Sequence, residues 1–317
     1  MKDVQKLIDE KQDLNKKLAY GRTILHQKAL EGNINAVRSL VENGAHVTVY
    51  DEDDLSPLHM ACRSGSLETV KFLLAKQAHH VIVPSWGNQA DATTFSHDTC
   101  VGLASARGAL DVVQFLVEKG FRFDMANDDG DTPLFLAMRG KYKNVATYLM
   151  EKGANIHRQN GRGETLLSMA IWSGDMGEVS ALLQKGVDIN QPIFNVDGMQ
   201  YHTPLSFAIY AEKFDVADFL MARGADVNKA DLKGNTPLSV ALERFISPCY
   251  YKRGEYGRMV NRLMQQGADV TPIRQHYEAI VEVRKLFELV ENPPRLVLKS
   301  TLSGPVNVQG LARDARG

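Results

Sequence analysis

A threonine-led tetrad that returns in fixed phase constrains this chain more than any other feature. Asp131-Thr132-Pro133-Leu134 is followed by Ala137, Val145, Leu149, Gly153 and Ala154. The opening recurs at Thr165-Leu166-Leu167, Thr203-Pro204-Leu205 and Thr236-Pro237-Leu238. Upstream it appears as Thr23-Ile24-Leu25-His26, Ser56-Pro57-Leu58-His59 and, with the proline lost, Thr99-Cys100-Val101. Four of the six intervals between these positions are 33 residues and the others are 43 and 38, so whole insertions interrupt the period without breaking its phase. Self-similarity at such a period excludes a fold with one central core and requires stacked units.

Each copy reads as two helices and a connecting finger. The Thr or Ser hydroxyl accepts an orphan N–H at a helix start, and proline suits the first helical position, where an N–H is dispensable. Leu134 and Ala137, with their equivalents, fall on one face, and the small alanine admits a neighbouring helix. Nine residues after the Thr or Ser, Gly32, Gly65, Gly108 and Gly174 are placed to end the first helix. The second helix carries a Val-x-x-Leu-Leu/Val stripe, as Val37, Leu40 and Val41 or Val179, Leu182 and Leu183. Gly44, Gly120, Gly153, Gly186, Gly224 and Gly267 close it. The polar residues before the next Thr form a hairpin-like finger. One such unit cannot bury its own stripe, so neighbours must stack into a curved solenoid.

The tetrad, the period of 33 and the Gly224-Ala225-Asp226-Val227-Asn228 run resemble the ankyrin repeat family, whose signature is T-P-L-H-x-A. The resemblance covers about residues 1–291. It implies an all-α ankyrin-repeat solenoid of helix-turn-helix units and a protein-recognition role, with partners lying along the concave face formed by the fingers and first helices.

Residues 1–20 read as an N-terminal half-repeat cap, with Val4, Leu7 and Ile8 reproducing the second-helix stripe. Seven repeats fill 21–270 as one continuous domain, with insertions at about 80–97, 192–198 and 245–257. A capping helix is expected at 271–291 and an extended or disordered tail at 292–317. The first insertion carries Trp86 and Phe95, and the last is a loop holding Tyr250, Tyr251 and Tyr256 beside Lys252 and Arg253.

With 37 basic and 38 acidic side chains the formal charge is −1, which argues against a general nucleic-acid surface. No signal peptide and no run of about 20 apolar residues is present, so a cytoplasmic monomer without membrane contact is expected. Cys62, Cys100 and Cys249 are widely spaced and read as free thiols, Cys62 and Cys100 buried. His79, His80, His97 and Cys100 match no zinc spacing, and no phosphate-cradling glycine loop, Gly-x-Ser-x-Gly or His-Glu-x-x-His occurs. The chain therefore reads as non-enzymatic, with no cofactor and no metal.

The groove-facing positions of repeats four to six supply the candidate site. Arg139, Trp172 and Tyr210 share one first-helix position and form the expected hot spot, being of the residue types that dominate interface energetics. Asp128, Asp129 and Asp131 are expected to give acidic complementarity to a basic peptide or protein. Arg162, Met199, His202 and Trp86 complete the set. The function read from this pattern is a scaffold or adaptor binding a protein or peptide on the groove. Two alternatives are kept open. One is a microbial effector secreted into a host cytosol. The other is an enzyme or ubiquitin-ligase adaptor that uses the insertions or C-terminal segment, although 283–302 lacks the Leu-Cys-Arg pattern of a ligase box. Asn190 and Asn228 lie in a context in which ankyrin asparagines are hydroxylated, and a structural role in the finger accounts for them equally well.

Overall fold

The computed structural model describes residues 2–77, 99–194, 201–247, 251–271 and 273. Each threonine-led copy becomes a pair of antiparallel helices, and the pairs stack in sequence order. After α1 (Lys2–Asp9) the pairs are α2 (Ile24–Leu30) and α3 (Ile34–Glu42), α4 (Pro57–Ser64) and α5 (Leu67–Gln77), and α6 (Cys100–Ser105) and α7 (Leu110–Glu118). Then follow α8 (Pro133–Arg139) and α9 (Lys143–Glu151), α10 (Leu166–Ser173) and α11 (Met176–Gln184), α12 (Pro204–Tyr210) and α13 (Phe214–Ala222), and finally α14 (Pro237–Ile246) and α15 (Arg253–Gln265). First helices pack on first helices from α2 through α14, second helices on second helices from α3 through α9, and α1 on α3. This is the all-α solenoid that the period requires.

The local chemistry explains the regularity. Thr23, Ser56, Thr99, Thr132, Thr165, Thr203 and Thr236 are all N-caps, and the last six accept a hydrogen bond from a first-turn N–H. Ala61, Ala104, Ala137, Ala170, Ala208 and Ala241 are fully buried between stacked first helices. In the second-helix stripe the Val and first Leu are buried throughout, while the third residue, as at Val41, Leu74, Val117 and Leu183, is half-buried at the outer edge. Gly32, Gly65, Gly108 and Gly174 adopt positive φ of 66°, 78°, 70° and 76° where the first helix ends. The fourth and sixth repeats make the same turn with Lys141 (φ 60°) and Glu212 (φ 58°), residues that rarely adopt it.

Fingers turn through backbone pairs such as Asp51 N–H to Leu55 carbonyl at 3.0 Å and Asn160 N–H to Glu164 carbonyl at 3.1 Å. Only one becomes a two-stranded ladder among the described residues, β1 (Ile193–Phe194) with β2 (Tyr201–His202), flanking the second insertion. Asparagines join successive fingers. Asn15 donates to the Gly44 carbonyl at 3.2 Å and accepts from His46 N–H at 2.8 Å. Asn190 accepts from Asp226 N–H at 2.9 Å, and Asn228 donates to the Gly267 carbonyl at 3.0 Å.

One expectation changes. The loop assigned to 245–257 is shorter than expected: α14 runs to Ile246 and α15 starts at Arg253, so part of the insertion lengthens the last helix pair. Tyr256 is fully buried, edge-on to Phe214 at 5.1 Å, while Lys252 pairs with Glu212 at 2.8 Å and Arg253 lies over Phe245. Tyr251 and Arg253 stay exposed there, and Tyr250 and Cys249 lie outside the described residues. The chain divides into two compact units, Met1–Ala268 and Asp269–Gly317. The capping helix at 271–291 and the tail fall almost wholly outside the described residues. At the other end Val4 is buried and Leu7 and Ile8 are half-buried.

Candidate functional site

The first helices of the fifth and sixth repeats carry an aromatic row that the fold assembles from the sixth repeat outward. Phe207, on α12, is 2% exposed and forms its floor. Trp172, on α10, stacks beside it with centroids 6.1 Å apart, and Tyr210 lies on its other side at 6.4 Å. His202 meets both Phe207 (6.0 Å) and Tyr210 (4.9 Å), and the Arg244 guanidinium covers the Tyr210 ring at 4.4 Å. Trp172 is 54% exposed despite this support. A half-open cleft of about 660 Å³ runs past it, lined by Arg139, Lys141, Lys143, Arg162, Glu178 and Phe207 among others. A second cleft of about 570 Å³, lined by Tyr210, Arg244, Asp231 and Lys233 with others, lies along the sixth and seventh repeats.

The charged residues sort differently from the expectation. Asp131 is 1% exposed and accepts both guanidinium nitrogens of Arg139, one of them at 3.1 Å. Arg139 also reaches Glu164 at 3.2 Å, and the Asn160 amide donates to Asp131 at 2.9 Å and to Glu164 at 2.6 Å. Partial burial opposes the guanidinium charge, but the hydrogen bond and charge of Asp131, with Glu164, outweigh it and raise the Arg139 pKa. Leu55, Asp131, Glu164 and His202, each immediately before the Thr or Ser of its repeat, are therefore buried in the stack, whereas Asn235 in the same position is exposed. Asp131 supplies no surface charge, and His202, in the same position, is 4% exposed. Burial, the leading cause, depresses the His202 pKa, and the Arg244 and Lys233 charges add to the effect against the pull of Asp231.

Asp128, Asp129 and Arg162 remain exposed on the fingers. The Asp129 carbonyl accepts from Gly161 N–H at 2.7 Å, so its backbone ties two fingers together while the side chain is displayed. At the other end of the cleft Lys143 pairs with Asp175, whereas Lys141 and Arg162 have no ion pair among the described residues. Burial, followed by the Asp175 charge, raises the Glu178 pKa. Met199 and Trp86 lie outside the described residues.

The structure thus unites Trp172 and Tyr210 through a ring that sequence reasoning passed over. Phe207 was legible in principle, since at its repeat position the other copies carry Gln27, Met60, Leu103, Leu136, Met169 and Val240, and only this copy has an aromatic. Arg244 was missed because the groove reading stopped at the sixth repeat. Among the described residues no cluster of His, Cys, Asp or Glu could hold a metal ion, and no helix is long and apolar enough to cross a membrane.

Comparison with known proteins matches this architecture. The family described as "Ankyrin repeats (3 copies)" matches residues 2–84, 80–160 and 101–193, and "Ankyrin repeat" matches 200–232. The B-cell lymphoma 3 protein homolog of Mus musculus is 32% identical over 126 residues, 39% of this chain and 26% of that protein. The probable 26S proteasome regulatory subunit p28 of Saccharomyces cerevisiae is 33% identical over 123 residues, 38% of this chain and 49% of that protein. The chain spans at most about half the length of these curated relatives. Among solved structures, the human ASB11 ankyrin repeat domain superposes with a TM-score of 0.59 at 20% identity, covering 78% of this chain and 99% of that one, a likeness of fold.

Proposed function

Because the chain belongs to the ankyrin repeat family, a family of protein-interaction modules, we propose that it is a non-enzymatic scaffold that docks an extended protein segment across the cleft beside Trp172. The observation that carries this reading is a half-exposed tryptophan held by stacking on a buried ring in an open cleft. Aromatic anchors of this kind contribute binding energy at small entropic cost, because the ring is already positioned. The partner presents an apolar side chain to Trp172. Its acidic groups meet Lys141 and Arg162 at the cleft ends, and basic groups meet Asp128 and Asp129 on the finger. The rim thus has both signs, in place of the wholly acidic complementarity expected from the sequence.

Affinity capture with the full chain, followed by titration of the captured partner against Trp172→Ala, tests the proposal. We expect a loss of affinity of about 30-fold or more, since hot-spot truncations cost about 2 kcal/mol or more. Unchanged affinity in a variant with native circular dichroism would remove the cleft from the docking surface.

A further inference from the structure

Both clefts meet the same run of rings. Trp172 and Phe207 line the cleft of the fifth repeat, and His202 and Tyr210 line the second, of about 570 Å³. Between them the rings are continuous: Trp172 to Phe207 is 6.1 Å, and Phe207 to Tyr210 is 6.4 Å. The Arg244 guanidinium then stands 4.4 Å from the Tyr210 centroid. The row thus leads from one cleft to the other, with a half-exposed tryptophan at one end and an arginine at the other.

The second cleft differs from the first in chemistry. Val240 is its only aliphatic lining residue among the described residues, so it suits a polar group. Its acids are not equivalent. Asp231 is taken up by its own finger: Oδ1 accepts from Lys233 N–H at 2.8 Å and Asn235 N–H at 2.8 Å, and Oδ2 from the Asn235 amide at 3.0 Å. Glu243 is left as the exposed lining acid set against Arg244 and Lys233, so the cleft favours an incoming anion over a cation. A guanidinium over a ring engages it through its face, whereas its N–H groups lie in its own plane. Arg244 can therefore stay on Tyr210 and still grip a carboxylate through two parallel hydrogen bonds.

Resting on the docking role argued above, we propose that the bound segment runs past Phe207 into the second cleft and places an aspartate or glutamate carboxylate on Arg244. Each step between ring centroids matches about two residues of extended chain, at about 3.3 Å per residue. With the acid above Tyr210 and its side chain reaching Arg244, the residue on Trp172 and the acid stand about four positions apart. That spacing is even, and residues separated by two or four along an extended strand project to one face, so both anchors meet the groove together. An odd spacing turns one of them away. The partner is thus a protein segment with an apolar residue and an acid about four positions apart. The apolar anchor supplies affinity, and the acid fixes register and direction.

The probe is a phage-displayed library of random short peptides selected on the full chain, with Trp172→Ala as counter-selection. We expect the selected peptides to carry an apolar residue with Asp or Glu about four positions away, always in the same direction. Synthetic copies titrated by fluorescence anisotropy should lose about 10-fold in affinity when that acid becomes Gln. Arg244→Gln in the protein should cost the same, and combining the two changes should cost no more. Arg244→Lys should recover part of the loss, since it restores the charge without the two-pronged geometry. If Arg244→Gln fails to fold, the Gln peptide on the unchanged chain still decides. Trp172-dependent peptides without an acid preference, or with affinity unchanged by Arg244→Gln, would overturn the two-point recognition and leave docking at Trp172 standing. Selected peptides indifferent to Trp172, or none selected, would remove both.

Discussion

Arg139 closes a two-pronged grip on Asp131, eight residues earlier in its own repeat, and at the same time reaches Glu164 in the next. The guanidinium is partly exposed while both carboxylates are almost fully covered, so Arg139 is the solvent-facing lid of a buried acidic pair.

Removing that lid leaves Asp131 and Glu164 side by side with only the Asn160 amide between them. Arg139→Ala should destabilise the protein by about 2 kcal/mol, below the 3–5 kcal/mol typical of a wholly buried pair because water reaches the arginine side. Urea unfolding of Arg139→Ala, Asp131→Asn and the double variant measures the coupling, and strictly additive effects would contradict the grip. The same reasoning makes Arg139 a poor probe of binding, since its loss perturbs the stack itself.

Trp172 and Phe207 touch, yet their truncations should act on different quantities. Phe207→Ala empties the floor of the aromatic row and should cost about 3–4 kcal/mol of stability. Trp172→Ala removes a half-exposed ring and should change stability by less than about 1 kcal/mol while weakening partner binding. Thermal and denaturant unfolding of both variants separate the roles; equal stability losses would mean that Trp172 is a core residue.

At Lys141 a lysine adopts the left-handed turn that glycine makes in four other repeats. Lys141→Gly should stabilise the protein by about 0.5–1 kcal/mol, the strain relieved less the extra freedom of the unfolded glycine. Gly130→Ala should do the opposite, by about 2 kcal/mol or more. Its φ is +74° and a methyl group there would come within 2.3 Å of the Gly161 backbone nitrogen, where neighbouring fingers meet. Calorimetric midpoints of the two variants moving in the same direction would refute this account.

Stability should also fall on mild acidification. His26 is buried with its Nε2 facing the Leu55 carbonyl at 3.0 Å, and burial depresses its pKa below the ordinary 6.5 despite that contact; His202 is depressed likewise. The folded state resists protonation that the unfolded chain accepts, so this stabilisation is complete above pH 6.5 and is lost as pH falls through the window down to the folded pKa. Unfolding midpoints recorded from pH 7.5 to 5, with imidazole NMR titrations of His26 and His202, check the sign. A midpoint that rises on acidification, or folded pKa values above 6.5, would reverse the assignment.

The repeat itself was legible because its determinants are local. A hydroxyl N-cap, a proline at the first helical position, a small residue four places after it and a glycine after most helices act within a few residues of chain, so their spacing in the sequence is their spacing in space. What the sequence could not show is where a given side chain goes once the next repeat is laid on it. Asp128, Asp129 and Asp131 look alike as a run of acids. Only the following finger, bringing Asn160 and Glu164 against Asp131, decides that one is buried and two are displayed. Likewise Trp172 and Tyr210 occupy one register position, but stacking α12 on α10 brings the buried Phe207 ring against both. The order of the modules follows from periodicity along the chain. The surface they present depends on contacts between residues some thirty or more apart, which no local pattern encodes.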